Sequence, residues 1–145
     1  VRSTLAKSDF VLADPEGRWR WEASAASAEM DEAAGTSRLS RVKGTYFLKD
    51  RAALRLRADR GRLDRKQEKA LLEGKVQGES LLTGAKLRAD RVEIDLKAMR
   101  LEARGKVRIE LGAAVLSGES FSADIGLKKI WAGGEESPRP GGGKK

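Results

Sequence analysis

Cysteine and histidine are both missing from the sequence, which removes thiol nucleophiles, disulfides, imidazole bases and the commonest zinc ligands together. No catalytic residue, metal site or cofactor is expected. With no thiols there is also no clue to a redox compartment. Aromatic residues are scarce, at three Trp, three Phe and one Tyr, too few to interleave with basic residues as a stacking platform for single-stranded nucleic acid requires. No apolar run approaches the roughly 18 residues of a membrane-spanning helix. Val1 is followed at once by Arg2 and Ser3, so no signal peptide is read here, and a start other than Met points to a trimmed N-terminus.

What is abundant is charge. Thirty Lys and Arg stand against 22 Asp and Glu in 145 residues, a net charge of +8, on a chain long enough for one domain. Nucleic acid, a membrane surface and phosphorylated lipid are all admissible anionic partners. Because basic residues alternate with acidic and apolar ones, a well-solvated surface explains the charge equally well.

The alternation has period two, the signature of strands with one buried face. Leu54, Leu56 and Ala58 alternate with Arg55 and Arg57, and Met99, Leu101, Ala103, Gly105, Val107, Ile109 and Leu111 alternate with polar or charged residues. The stretch Asp64–Leu72 reads as a turn entering a strand, since its apolar residues gather only at its end.

An internal repeat organises these strands. Leu56-Arg-Ala-Asp-Arg-Gly-Arg-Leu63 followed by Leu72-Glu-Gly-Lys-Val76 recurs as Leu87-Arg-Ala-Asp-Arg-Val-Glu-Ile94 followed by Ala103-Arg-Gly-Lys-Val107. Phe121-Ser-Ala-Asp124 is a partial third copy, and Trp19-Arg-Trp-Glu-Ala-Ser24 a diverged one. The apolar phase slips by one residue after Ala23, Ala58 and Ala89, where a strand that keeps its apolar face inward needs a bulge or corner. Ser24, Asp59 and Asp90 suit such corners. Gly44, Gly74 and Gly105 hold the matching places in the return strands. After Ala123 the phase does not slip, so the fourth strand is expected to run straight through Ile125 and Leu127. The fold class that follows is all-β: an open antiparallel β-jellyroll, a twisted roll of stacked V-shaped hairpins around an apolar interior. Residues 1–9 are expected to flank the β-domain, 10–132 to form it, and 133–145, with Pro138, Pro140 and a Gly run, to be a disordered basic tail.

These repeats resemble the OstA-like proteins of lipopolysaccharide export, whose units carry an A-D-x-(apolar)-x-(apolar) half and an L-x-G-x-V half. The opening, Phe10-Val-Leu-Ala-Asp-Pro-Glu-Gly17 and then Trp19-Arg-Trp-Glu-Ala-Ser-Ala-Ala26, resembles the LptC family more than the soluble bridge protein LptA, although an LptA-like bridge is an alternative. The resemblance covers roughly residues 10–131. It implies a periplasmic domain held at the inner membrane by an N-terminal helix, which receives lipopolysaccharide from an ABC transporter and passes it along an apolar groove. On that reading Trp21, Leu56, Leu72, Val76, Leu87, Val92, Ile94, Leu101, Val107, Ile109 and Phe121 line the interior; the same residues would equally pack a dry core. Arg57, Arg60, Arg88 and Arg91 are placed at the rim, available to phosphates.

An open roll leaves two unpaired edges suited to strand addition. By resemblance, the edge around Phe10, Leu12 and Trp19 would meet LptF/LptG-like transporter β-domains. The edge containing Phe121, Ala123, Ile125 and Leu127 would accept an LptA-like bridge protein. Two other readings remain: a basic nucleic-acid-binding β-barrel, motivated by the charge, and an enzyme using Asp59, Asp90 and Asp124 as a carboxylate cluster. Their recurrence at equivalent positions of a repeat points instead to corner-forming, and no nucleic-acid partner is expected. A bactofilin-like scaffold polymer would lack the tryptophan-rich opening.

Overall fold

A computed structural model of the chain describes residues 2–5 and 7–132. The stretch 133–145, expected to be a tail, lies outside the described residues. Ten strands are present among those described: β1 (Arg2–Leu5), β2 (Ser8–Ala13), β3 (Trp19–Asp31), β4 (Thr36–Leu48), β5 (Arg51–Asp64), β6 (Lys69–Ser80), β7 (Lys86–Asp95), β8 (Arg100–Leu111), β9 (Ala114–Asp124) and β10 (Ile130–Ala132). They form one antiparallel sheet in which consecutive strands are neighbours from β3 to β10, and both β1 and β2 pair with β3. The expected all-β jellyroll is therefore the observed fold. Arg2–Leu5 and Ser8–Asp9, placed outside the β-domain on sequence, are paired with β3, so the sheet begins earlier than residue 10.

The period-two pattern produces the sheet because one face of each long strand is apolar. Leu54, Leu56, Ala58 and then Leu63 are buried on β5, and Leu87, Ala89, then Val92 and Ile94 on β7, with the phase changing after Ala58 and Ala89 as the repeat requires. On β3 the change comes later: Ala25 is still buried and Ala28 is the next buried residue, so the slip follows Ala25 and not Ala23.

The corners have a local cause. Between Arg57/Arg60, Glu73/Val76, Arg88/Arg91 and Arg104/Val107 the ladder register shifts, because β6 and β8 each carry one extra residue there. Those residues lie in Gly74-Lys75 and Gly105-Lys106, all four with positive φ, which bends the strand as a bulge does. A Cβ on Gly74 would lie 2.8 Å from Asp59 Cβ, and one on Gly105 2.7 Å from Asp90 Cβ. Asp and Gly of the repeat are thus two sides of one corner. Gly44 does not belong to this set: its φ is ordinary, and the left-handed residue of β4 is Arg41. Gly44 is small for a different reason, because the Trp21 ring lies across its backbone, where a Cβ would be 2.3 Å from the ring.

Turns at the far end of the strands repeat as well. Asp31, Asp64 and Asp95 each accept a backbone N–H three residues on, from Ala34 (3.1 Å), Gln67 (2.9 Å) and Ala98 (3.0 Å), the Asx-turn geometry that fixes a reversal. Asp124 accepts from backbone N–H groups four and five residues on, those of Lys128 and Lys129, both at 2.8 Å. The strand expected to continue straight through Ile125 and Leu127 therefore ends at Asp124, and Leu127 adopts a positive φ of 56°. Ile125 and Leu127 instead close the end of the core, both 1% exposed.

Candidate functional site

Bending each strand at its middle brings the two halves of the sheet face to face, and the apolar residues of both halves form a single core. All eleven residues proposed to line the interior lie in it. Ile94 and Val92 are completely buried, Trp21, Leu56, Leu72, Val76, Leu87, Val107 and Ile109 are nearly so, and Leu101 and Phe121 retain only a few per cent exposure. The interior is thus filled by its own side chains.

Where the two strand ends meet, the roll is closed by a seam that the sequence does not announce. The buried Tyr46 hydroxyl, near the end of β4, donates to the Leu96 carbonyl in the β7–β8 turn at 2.7 Å. The Ser80 hydroxyl, at the end of β6, donates to the Gly126 carbonyl in the β9–β10 turn, also at 2.7 Å. Each bond joins opposite ends of the bent strands. Ser80 Oγ also accepts from the backbone N–H groups of Leu82 and Thr83, so its turn is held at the same time. Burial pushes the Tyr46 phenol well above its ordinary pKa, with nearby Asp14 and Asp95 adding to the shift, and it remains a neutral donor. Trp19 stacks against Tyr46 with ring centroids 6.2 Å apart. Its Nε1 is buried without a hydrogen-bond partner.

The edges differ in part from their sequence assignment. On the N-terminal side the free edge is made by β1 and β2, each paired only with β3. Phe10 and Leu12 turn partly buried side chains onto the core, whereas Trp19 lies inside, on β3. On the C-terminal side β10 covers β9 from Phe121 to Ala123. The uncovered part of β9 is Ala114–Ser120, whose side chains are mostly exposed. Phe121, Ala123, Ile125 and Leu127 are buried core residues. They support that edge from beneath and do not present it.

Asp59 and Asp90 are exposed corner residues and Asp124 is a turn residue, and no group of three or more potential metal ligands occurs among the described residues. Arg57, Arg60, Arg88 and Arg91 are exposed on the outer face of the sheet at mid-strand, not at a rim of the interior. Sequence reasoning missed the Asx turns, although a signal for two of them was present: Asp64 and Asp95 are separated by the same 31 residues as the repeat itself. The seam carried no such signal, since Tyr46 and Leu96 are 50 residues apart.

No curated protein matches the chain. Among solved structures it resembles LptH, the LptA homologous periplasmic component of the lipopolysaccharide transport device from Pseudomonas aeruginosa. The identity is 18%, the TM-score 0.63, and the alignment covers 88% of this chain and 94% of that one. The likeness is one of fold. The lipopolysaccharide-assembly, LptC-related family matches residues 2–130, and on that match the chain belongs to this family.

Proposed function

We propose that the chain is a component of a lipopolysaccharide transport bridge, working in the periplasm and tethered to the inner membrane by a helix preceding the β-domain. It receives lipopolysaccharide from the β-domains of an LptF/LptG-like transporter at the β1/β2 edge and passes it to an LptA-like bridge protein at the other edge. The carrying observation is a single apolar interior that runs between two free edges of one sheet. Strand addition at each edge would extend that interior into neighbouring domains. The assignment to an LptC-like role, and not to an LptA-like bridge, is supported by the family match.

The interior residues named from sequence are the proposed acyl-chain contacts. The chains enter as the seam parts, so that the two apolar faces exchange contact with each other for contact with lipid. Ten buried methylenes contribute about 8 kcal/mol. The two seam hydrogen bonds are together worth only about 1–3 kcal/mol, so the lipid prevails.

The test uses Trp19 and Trp21, both buried in the interior, as reporters. In a Trp131→Phe variant, which removes the third tryptophan, lipid A with brominated acyl chains is expected to quench the remaining fluorescence, since bromine quenches only near contact. Binding without quenching would place the acyl chains outside the roll and refute the proposal.

A further inference from the structure

The outer face of the sheet carries a feature that neither the interior nor the edges require. A groove of about 530 Å³ crosses it from β4 to β8. Six cations line it, Lys43, Arg55, Arg57, Lys86, Arg88 and Arg108, against two acids, Glu79 and Glu110. Arg108 contacts Glu110 at 3.4 Å. The other five cations make no ion pair with any described residue.

The ladder register sets these charges out in two rows. In one row across the strands, Arg55, Glu79, Lys86 and Glu110 face one another in alternating sign, the pattern that stabilises a sheet. In the adjacent row Lys43 lies directly opposite Arg57, Gln77 follows, and Arg88 lies directly opposite Arg108. Two like-charged pairs thus face each other with no acid between them, an arrangement that destabilises the sheet. The row spans four strand spacings, about 19 Å.

We propose that this groove binds the phosphate groups of a phosphorylated ligand, either the head of a phosphorylated lipid or a free phosphate ester. An anion between the opposed cations converts repulsion into attraction, and the planar guanidinium forks of Arg57, Arg88 and Arg108 match phosphate oxygens two at a time. Base stacking would require an aromatic side chain, and none lines the groove. The exposed large hydrophobics, Val11 and Val115, lie outside it, so it lacks the apolar centre of a protein interface. The assignment is independent of what the interior carries.

The experiment compares the 145-residue chain with R57E/R88E, and with K97E/K128E as a charge-matched control in exposed turns outside the groove. Binding of inorganic pyrophosphate is followed by calorimetry and by the NMR shifts of the arginine Nε–H groups. Phosphatidylcholine vesicles with and without phosphatidic acid form a second arm. The groove assignment predicts saturable pyrophosphate binding that falls roughly tenfold or more in R57E/R88E and by less than about twofold in K97E/K128E. R57E/R88E should also unfold at the same or higher urea concentration than the parent, because each Glu then faces a cation. Tighter binding to phosphatidic acid vesicles than to pyrophosphate at equal phosphate would identify a lipid head; equal binding would identify a free phosphate ester. Equal weakening in both double variants would reduce the effect to diffuse charge and overturn the proposal. Unchanged phosphate affinity in R57E/R88E would overturn it too, leaving the row as a surface for an acidic protein.

Discussion

Asp14 and Arg18 show how one residue pair fixes an approach to the sheet. Asp14 accepts from the Arg18 side chain at 2.7 Å and from the Arg18 backbone N–H at 3.1 Å, closing the turn between β2 and β3. The side-chain bond, foremost, holds the Asp14 carboxyl below its ordinary value of 3.8. A carboxyl whose pKa is lowered on folding stabilises the protein above its unfolded pKa and loses that contribution as pH falls through the folded value. Asp14→Asn is therefore expected to unfold at lower urea concentration than the parent near neutral pH, with the gap closing below about pH 4. Glycine offers a second test at this scale. Gly105 and Gly84 have nearly the same φ, 84° and 81°, but a Cβ on Gly84 meets nothing within 4 Å while one on Gly105 meets Asp90 Cβ. Gly84→Ala should cost about 1 kcal/mol of backbone strain. Gly105→Ala should cost about 1–3 kcal/mol more, since Asp90 Cβ cannot retreat without the β7 backbone; equal losses in urea titrations would show that the corner is not tightly fitted. Gly105 was legible in sequence because it recurs with Gly74. The true partner of Gly44 was not, because a Trp ring crossing a neighbouring strand leaves no periodic trace.

At the scale of elements, the strands are governed by simple alternation, and the repeat located the corners of β5 and β7 to the residue. It failed on β9, where Ile125 and Leu127 keep the phase of Phe121 and Ala123 but the Asp124 turn reverses the chain. Periodicity cannot distinguish a continuing strand from apolar residues that cap a core. The uncovered edge was misplaced for the same reason, since the pairing of β10 decides which part of β9 stays free. The exposed stretch Ala114–Ser120 supplies the prediction: Val115→Lys with Ser117→Lys should weaken docking of an LptA-like partner by placing charge on the edge. Because both side chains are exposed, stability should stay within about 0.5 kcal/mol of the parent. Pull-down with the partner checks the first point and thermal unfolding the second. The seam is a different kind of element, made of turns from opposite strand ends. Tyr46→Phe leaves the Leu96 carbonyl without its donor and should cost about 1–2 kcal/mol, while speeding the uptake of lipid if the halves part there. A stability loss with unchanged uptake kinetics would make that bond a fastener of the core alone.

For the molecule as a whole, the sequence pattern was enough to identify one bent antiparallel sheet with an apolar inside, because each half-strand repeats the same instruction. It was not enough to show that the inside is filled and latched, since Tyr46–Leu96 and Ser80–Gly126 are contacts between residues 50 and 46 positions apart. A roll packed by its own side chains carries lipid only by opening, with acyl chains replacing one half of the sheet against the other. Photo-crosslinking tests this most directly, with a short photoreactive side chain placed in turn at Ile94, Val107 and the exposed Arg62, which lies outside the basic groove, and the protein exposed to lipopolysaccharide. Ile94 and Val107 are 0% and 1% exposed, and the account predicts adducts from both and none from Arg62. Adducts from Arg62 alone, or from none of the three in protein that remains folded, would contradict an interior route for the lipid.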